Sequence, residues 1–147
     1  MKVVIQRCKY ASVSVDSKLI NEIDQGLAIL VGFHVNDTID DLNYIVKKII
    51  NLRIFDDENK VMNKSILDIN GEILSISQFT LQAITKDGNR PSYVNAMKSD
   101  DAIKLYELFN QKLNESVKTY PGVFGADMLI NIQNDGPITI VIDSKNK

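Results

Sequence analysis

Apolar and polar positions alternate from the first residues of the chain. Val3 and Ile5, then Val13 and Val15, take every second place with polar neighbours, the period-2 mark of a half-buried strand. Asp16-Ser17-Lys18 predicts a turn into a short strand over Leu19–Ile23, and Asp24-Gln25-Gly26 predicts another turn. The nearly unbroken apolar run Leu27–Phe33 fits a central strand covered on both faces. The period then changes. Ile39, Leu42, Ile45, Val46, Ile49 and Ile50 recur at spacings of three and four, which predicts an amphipathic helix ending near Leu52. Thr38 is its cap, and Asp41 completes a weaker form of the capping box.

Arg53-Ile54-Phe55 extends again, Asp57–Lys60 turns, and Gly71–Gln78 reads as the next strand. Residues 82–98 contain Gly88, Asn89 and Pro91 and read as a long loop, of a length that is usually functional or mobile inside a compact domain. Ser99 is the predicted cap of a second helix, with Asp100 and Asp101 in its first turn. Ile103, Tyr106, Phe109, Leu113 and Val117 form its expected buried stripe, and Pro121-Gly122 lies beyond its end. Strands follow at Met128–Ile132 and Ile138–Ile142. From local chemistry alone, Asn134–Thr139 between them is a hairpin turn. Strand-rich ends and two amphipathic helices predict one α+β domain over residues 1–147. Its mixed β-sheets would form a sandwich or partial barrel, with both helices packed on one side.

Seventeen basic and nineteen acidic residues leave a net charge of −2, which excludes a bulk polyanion binder. Contact with nucleic acid would need a local patch and a small footprint. Lys86, Arg90 and Lys98, set against Asp87, form one such segment: either a solvated loop or a place for a phosphate or two. The single cysteine, Cys8, forms no internal disulfide, as suits a reducing compartment. The N-terminal apolar run is too short for a signal peptide, and no stretch of about 20 apolar residues exists to span a membrane. A cytoplasmic location and no membrane partner are expected.

Candidate chemistry narrows by elimination. Cys8 and His34 supply only two zinc-type ligands, and no phosphate-cradling glycine loop occurs, so neither a metal nor a cofactor is expected. A Ser-His-Asp triad would need His34, which ends an apolar strand and reads as structural. Asp56-Asp57-Glu58 and Asp100-Asp101 read as a turn and a helix start. Two segments remain. Ser77-Gln78-Phe79-Thr80-Leu81 crowds hydroxyl, amide and aromatic groups at a strand end, although an alternating strand also explains it. Gly136-Pro137 lies within the second, and an X-Pro bond adopts cis far more readily than other peptide bonds.

Those two segments resemble the signature pair of the D-aminoacyl-tRNA deacylases, also called D-tyrosyl-tRNA deacylases. The resemblance extends through Val3–Arg7, Asn51–Phe55, Gly88–Ser92 and Phe124–Met128, so it runs the length of the chain in order. Tyr93 and Gln82-Ala83 depart from the commoner residues at their places without touching the signature. The resemblance implies a homodimer with active sites at the subunit interface. Gly136-Pro137 of one chain would enter the partner's site and face Ser77, Gln78, Phe79 and Thr80, with Arg7 bracing the inserted segment. Phe124 and Met128 would help line the pocket for the terminal adenosine of tRNA. The implied reaction is hydrolysis of D-aminoacyl-tRNA, with L-aminoacyl-tRNA rejected by a Gly-cisPro filter and glycine on alanine tRNA let through. Thr80 or Ser77 as nucleophile lacks an adjacent base; backbone N–H groups near Phe79 and the tRNA's own 2′-hydroxyl are the favoured machinery. The alternatives are a non-catalytic nucleic-acid-binding module on the same fold and a general esterase using Thr80.

Overall fold

A computed structural model describes residues 1–86 and 88–146. Asp87, the acid counted in the Lys86–Lys98 segment, lies outside the described residues. The first strand, β1 (Lys2–Val15), is long enough to carry both alternating stretches seen in the sequence. It pairs on one side with β3 (Gly26–Gly32) through its first half and with β2 (Lys18–Ile23) through its second. β3 continues in parallel to β6 (Glu72–Ser77), and β6 in parallel to the short β7 (Thr119–Pro121). A small separate ladder joins β4 (Phe55–Asp56) and β5 (Met62–Lys64).

The two faces of this mixed sheet bury different cores. Leu27, Ile29 and Val31 of β3 join Val3, Ile5 and Ile73 beneath both helices, α1 (Ile39–Asn51) and α2 (Ser99–Asn114). Ala28 faces the other way, into a second core with Cys8, Ala11, Val13, Leu74 and Ile76. β3 is therefore covered on both sides, as its apolar run predicts, and the helices share one side. The architecture is α+β with a mixed, nearly closed sheet.

The hairpin expected at Asn134–Thr139 does not form. Residues from Leu129 to Asp143 make one strand, β8, antiparallel to β1 over nearly its whole length. Thr139 stands opposite Gln6 and Asn134 opposite Cys8, so Asp135–Ile138 all face Arg7 alone. The chain bulges outward there instead of reversing, and Gly136 and Pro137 are exposed at the crest. Asn134 spans the base of the bulge: its side-chain amide donates to the carbonyls of Arg7 at 2.9 Å and Ile138 at 3.1 Å. These bonds replace the ladder that the bulge interrupts. The Gly136-Pro137 bond is cis, and Gly136 has φ +116°, a conformation open to glycine and strained for other residues.

Helix ends differ in fidelity to their local signals. The capping box at Thr38 forms as expected. Ser99 is not the cap of α2. Lys98 is already extended and its carbonyl accepts from the N–H groups of Asp101 and Ala102, so the helix starts one place earlier. Ile39 and Ile103 are exposed, contrary to the expected stripes. In α2, Ala102, Tyr106, Phe109 and Leu113 carry the inward face, and that register turns Ile103 aside.

Gly32 lets the turn that follows β6 approach closely. A Cβ there would lie 2.6 Å from the Gln78 carbonyl oxygen and 2.9 Å from the Leu81 Cβ. Gly32→Ala is therefore expected to cost about 1–3 kcal/mol, as overpacking does, read as a lower urea midpoint at unchanged slope. A second prediction concerns Asp41. Burial opposes its ionisation most strongly, but the hydrogen bond from Lys145, the Thr38 N–H and the Ser144 and Thr38 hydroxyls outweigh it. They hold the carboxyl well below the usual carboxylate range. The stabilisation is present above the unfolded value of about 3.9 and is lost as pH falls from there toward the folded value. Asp41→Asn should thus be less stable than the parent at pH 7, with a gap that narrows progressively below about pH 4. Urea unfolding across that range checks it; a gap of constant size would contradict the assignment.

Candidate active site

β6 ends at Ser77, and the chain passes through Gln78 into a single 3-10 turn, Phe79–Gln82. The turn is fixed from both sides. Gln78 donates its N–H to the Val31 carbonyl at 2.7 Å, and the buried Gln82 side chain donates to the Gly32 carbonyl at 2.7 Å. Gln78 also donates its side-chain amide to the Thr80 hydroxyl oxygen. The N–H groups of Phe79 and Thr80, first in the turn, donate to no acceptor among the described residues. Such free donors are what a short helix start presents.

An open cavity of about 640 Å³ lies against this turn. Ser77, Gln78 and Phe79 form one wall, and Phe124 and Met128, from the segment between β7 and β8, form another. Phe33 and Ala102 lie between them, and Lys98 and Asp127 bring charge to the lining. Phe79 is exposed and meets the Tyr93 ring edge-on, with centroids 5.1 Å apart. The size falls in the range of small-molecule pockets.

Five of the residues singled out from sequence therefore share one cavity: Ser77, Gln78, Phe79, Phe124 and Met128. Thr80 stands beside it, tied to Gln78, and is not one of its walls. Gly136, Pro137 and Arg7 are not walls either. Arg7 is 6% exposed and anchors the bulge from below. Its guanidinium donates to the Ile54 carbonyl at 2.7 Å and pairs with Asp56 at 3.2 Å and with the Asp135 carboxylate at 3.1 Å.

Sequence reasoning gave no cavity role to Tyr93, Met97, Lys98 or Ala102, although Lys98 was counted in the basic segment and Tyr93 among the departures from the family pattern. The length of the 82–98 loop was the available signal for the first three. That excursion is pinned by main-chain bonds between Ile84 and Ser92 and from Met97 to Phe33. Tyr106, read from sequence only as core, lies behind the cavity. Its hydroxyl donates to the Ser75 carbonyl at 2.7 Å, and burial pushes the phenol up, which keeps it a donor at neutral pH.

The lone cysteine and the lone histidine are both engaged elsewhere. Cys8 is fully buried, and burial pushes its thiol up to about 11, beyond use as a thiolate at neutral pH. His34 Nδ1 accepts the Asn36 N–H at 3.1 Å, outside the cavity. What the cavity offers is main-chain donors, the hydroxyls of Ser77, Tyr93 and Ser99, the charges of Lys98 and Asp127, and aromatic walls. No helix among the described residues is long and apolar enough to cross a membrane.

Comparison with known proteins places this arrangement. A protein of Flavobacterium psychrophilum named D-aminoacyl-tRNA deacylase is 57% identical over 149 residues, covering 100% of this chain and 99% of that one. A solved structure named c-Myc DNA Unwinding Element Binding Protein is 41% identical with a TM-score of 0.93, covering 97% of this chain and 98% of that one. A probable eukaryotic D-amino acid tRNA deacylase, 17% identical with a TM-score of 0.82, covers 96% and 97% of the two chains and shares the fold. Residues 4–143 match the family described as D-Tyr-tRNA(Tyr) deacylase, and the chain belongs to that family.

Proposed function

We propose that this protein hydrolyses the ester of D-aminoacyl-tRNA to free D-amino acid and tRNA, as a chiral proofreading enzyme of the cytoplasm. What carries the reading is one juxtaposition. In a chain that matches the deacylase family over residues 4–143, the Ser77–Phe79 segment shares a cavity with Phe124 and Met128. The cavity would take the terminal adenosine of tRNA between its aromatic walls, and the ester would lie against the turn.

The chemistry asks little of titrating side chains. Water adds to the ester carbonyl, charge develops on the carbonyl oxygen, and the ribose oxygen leaves with a proton. The free N–H groups of Phe79 and Thr80 are suited to hold that oxyanion. The neighbouring ribose 2′-hydroxyl of the substrate helps to activate the water, and positioning supplies much of the remaining rate. Neither Ser77 nor Thr80 then needs to act as nucleophile.

Handedness would be read by main chain. Gly136 and Pro137 crest an outward bulge and are not walls of their own chain's cavity. In the proposed homodimer, the bulge of one chain enters the partner's cavity, held in shape by Arg7 and Asn134 of its own chain. Its carbonyls accept from the substrate's ammonium group. A D side chain then points outward and an L side chain collides with the glycine-proline segment, whereas glycine passes. The whole of residues 1–147 acts as one domain in this arrangement, without metal, cofactor or membrane.

A second reading is a non-catalytic nucleic-acid-binding module, favoured by the name of the 41% identical structure and by exposed Lys86, Arg90 and Lys98. Incubation with D-tyrosyl-tRNA and L-tyrosyl-tRNA separates the two. The deacylase is expected to release D-tyrosine about 100-fold faster or more, the scale of a steric rejection, and to sediment as a dimer. A binder would protect or ignore both. Ser77→Ala and Thr80→Ala should each retain measurable cleavage; abolition of cleavage with tRNA binding intact would replace the substrate-assisted route with a hydroxyl nucleophile.

A further inference from the structure

The Ser75 carbonyl, two residues before Ser77, is the meeting point of three elements. It accepts the Tyr106 hydroxyl of α2 at 2.7 Å and the Gly122 N–H at 2.8 Å. Gly122 follows the last β7 residue, Pro121, which pairs with Ser75 across the ladder. From that point the chain leaves the sheet and runs to Phe124 and Met128. Tyr106 is 3% exposed, and its ring tilts against that of Phe124 at 5.8 Å between centroids. Ser75 itself is held in parallel register with β3, where Ile29 faces Ser75 and Val31 faces Ser77.

From this geometry we infer that Tyr106 is a positioning residue for deacylation, holding the Phe124–Met128 wall in register with the Ser77–Phe79 turn through the Ser75 carbonyl and the Phe124 ring. The inference rests on the deacylase reading above. A phenylalanine would fill the same space, so packing alone gives no use for the hydroxyl. What the hydroxyl adds is a bond to the strand that ends in the catalytic turn, made by the same side chain that touches the nucleoside wall. A carbonyl oxygen has two lone pairs, and here both are taken. Loss of the Tyr106 bond leaves the Ser75 carbonyl satisfied by Gly122, so the strand keeps its place, while the Tyr106 ring loses the fixed point from which it sets the Phe124 ring. The consequence falls on substrate binding more than on the bond-breaking step, because the oxyanion donors belong to the turn and not to the wall.

The test is steady-state kinetics with D-tyrosyl-tRNA on the full chain. Tyr106→Phe is expected to raise KM by about five- to tenfold, the scale of one buried hydrogen bond, and to keep kcat within about twofold. Phe109→Leu is the control for a merely structural effect: Phe109 is fully buried on the same helix and is not a cavity wall. It should lower thermal stability and leave KM unchanged. Phe124→Leu should raise KM as well, and its effect combined with Tyr106→Phe should be less than the product of the two, since both act through one wall. An unchanged KM in Tyr106→Phe, an equal rise in Phe109→Leu, a fall confined to kcat, or a fully multiplicative double variant would each overturn the inference. If Tyr106→Phe does not fold, an unchanged KM in Phe124→Leu overturns it and a raised one sustains it. A wild-type protein inactive on D-tyrosyl-tRNA would instead sink the deacylase reading itself.

Discussion

Arg7 carries a full charge into the interior, and much of the molecule's arrangement follows from keeping that charge satisfied. A buried cation is tolerated only when paired and hydrogen-bonded. Here the Ile54 carbonyl, Asp56 and Asp135 supply the partners, and they come from two regions of chain far from Arg7 in sequence. The residue sits in β1, where the ladder to β8 breaks and four residues of β8 face one of β1. One guanidinium thus joins the central strand, the start of the β4–β5 hairpin and the base of the bulge. The bulge can project from the surface because its root is anchored by ionic and main-chain bonds while its crest carries no side-chain load.

The cavity is built on a different plan, chiefly from main chain and packing, with Lys98 and Asp127 as the charged side chains of its lining. The turn after β6 is locked by Gln78 to β3 and by Gln82 to the Gly32 carbonyl. The opposite wall is held at Gly122 and by the ring of Tyr106. Cys8 and His34 are both occupied elsewhere. A site of this kind acts by placing donors where charge will develop, which costs no reorganisation during the reaction.

Much of the fold was legible because its signals are local. The three-and-four spacing of Leu42, Ile45, Val46 and Ile49 needs only a neighbouring apolar face to become α1, and Thr38 with Asp41 sets its start within four residues of sequence. β3 was readable from composition alone. The 134–139 segment was misread because its deciding partner is 128 residues away: Asn, Asp, Gly and Pro suit a tight turn and a bulge equally, and only Arg7 distinguishes them. The same holds for Ser99, where an extended Lys98 took the capping place. The site was legible chiefly through family resemblance. Periodicity can place Tyr106 on a buried stripe, but not reveal that its hydroxyl reaches the strand leading to Ser77.

The separation of cavity and bulge within one chain bears directly on the proposed dimer. A rigid crest that carries a glycine and a proline, both exposed, has nothing to do in its own subunit. The cavity, for its part, has neither Gly136 nor Pro137 in its lining, so the proposed filter has to come from elsewhere. Each is the complement of the other's deficiency, and an intramolecular meeting would require β8 to leave the ladder it makes along β1. In the proposed dimer, two copies related by a two-fold axis would meet the need, because each would donate a bulge and receive one. Leu129 and Val141 on β8 and Phe79 in the cavity wall are exposed apolar side chains that such a partner would cover. Chirality would then be read at a boundary between subunits, and dissociation would remove discrimination together with activity.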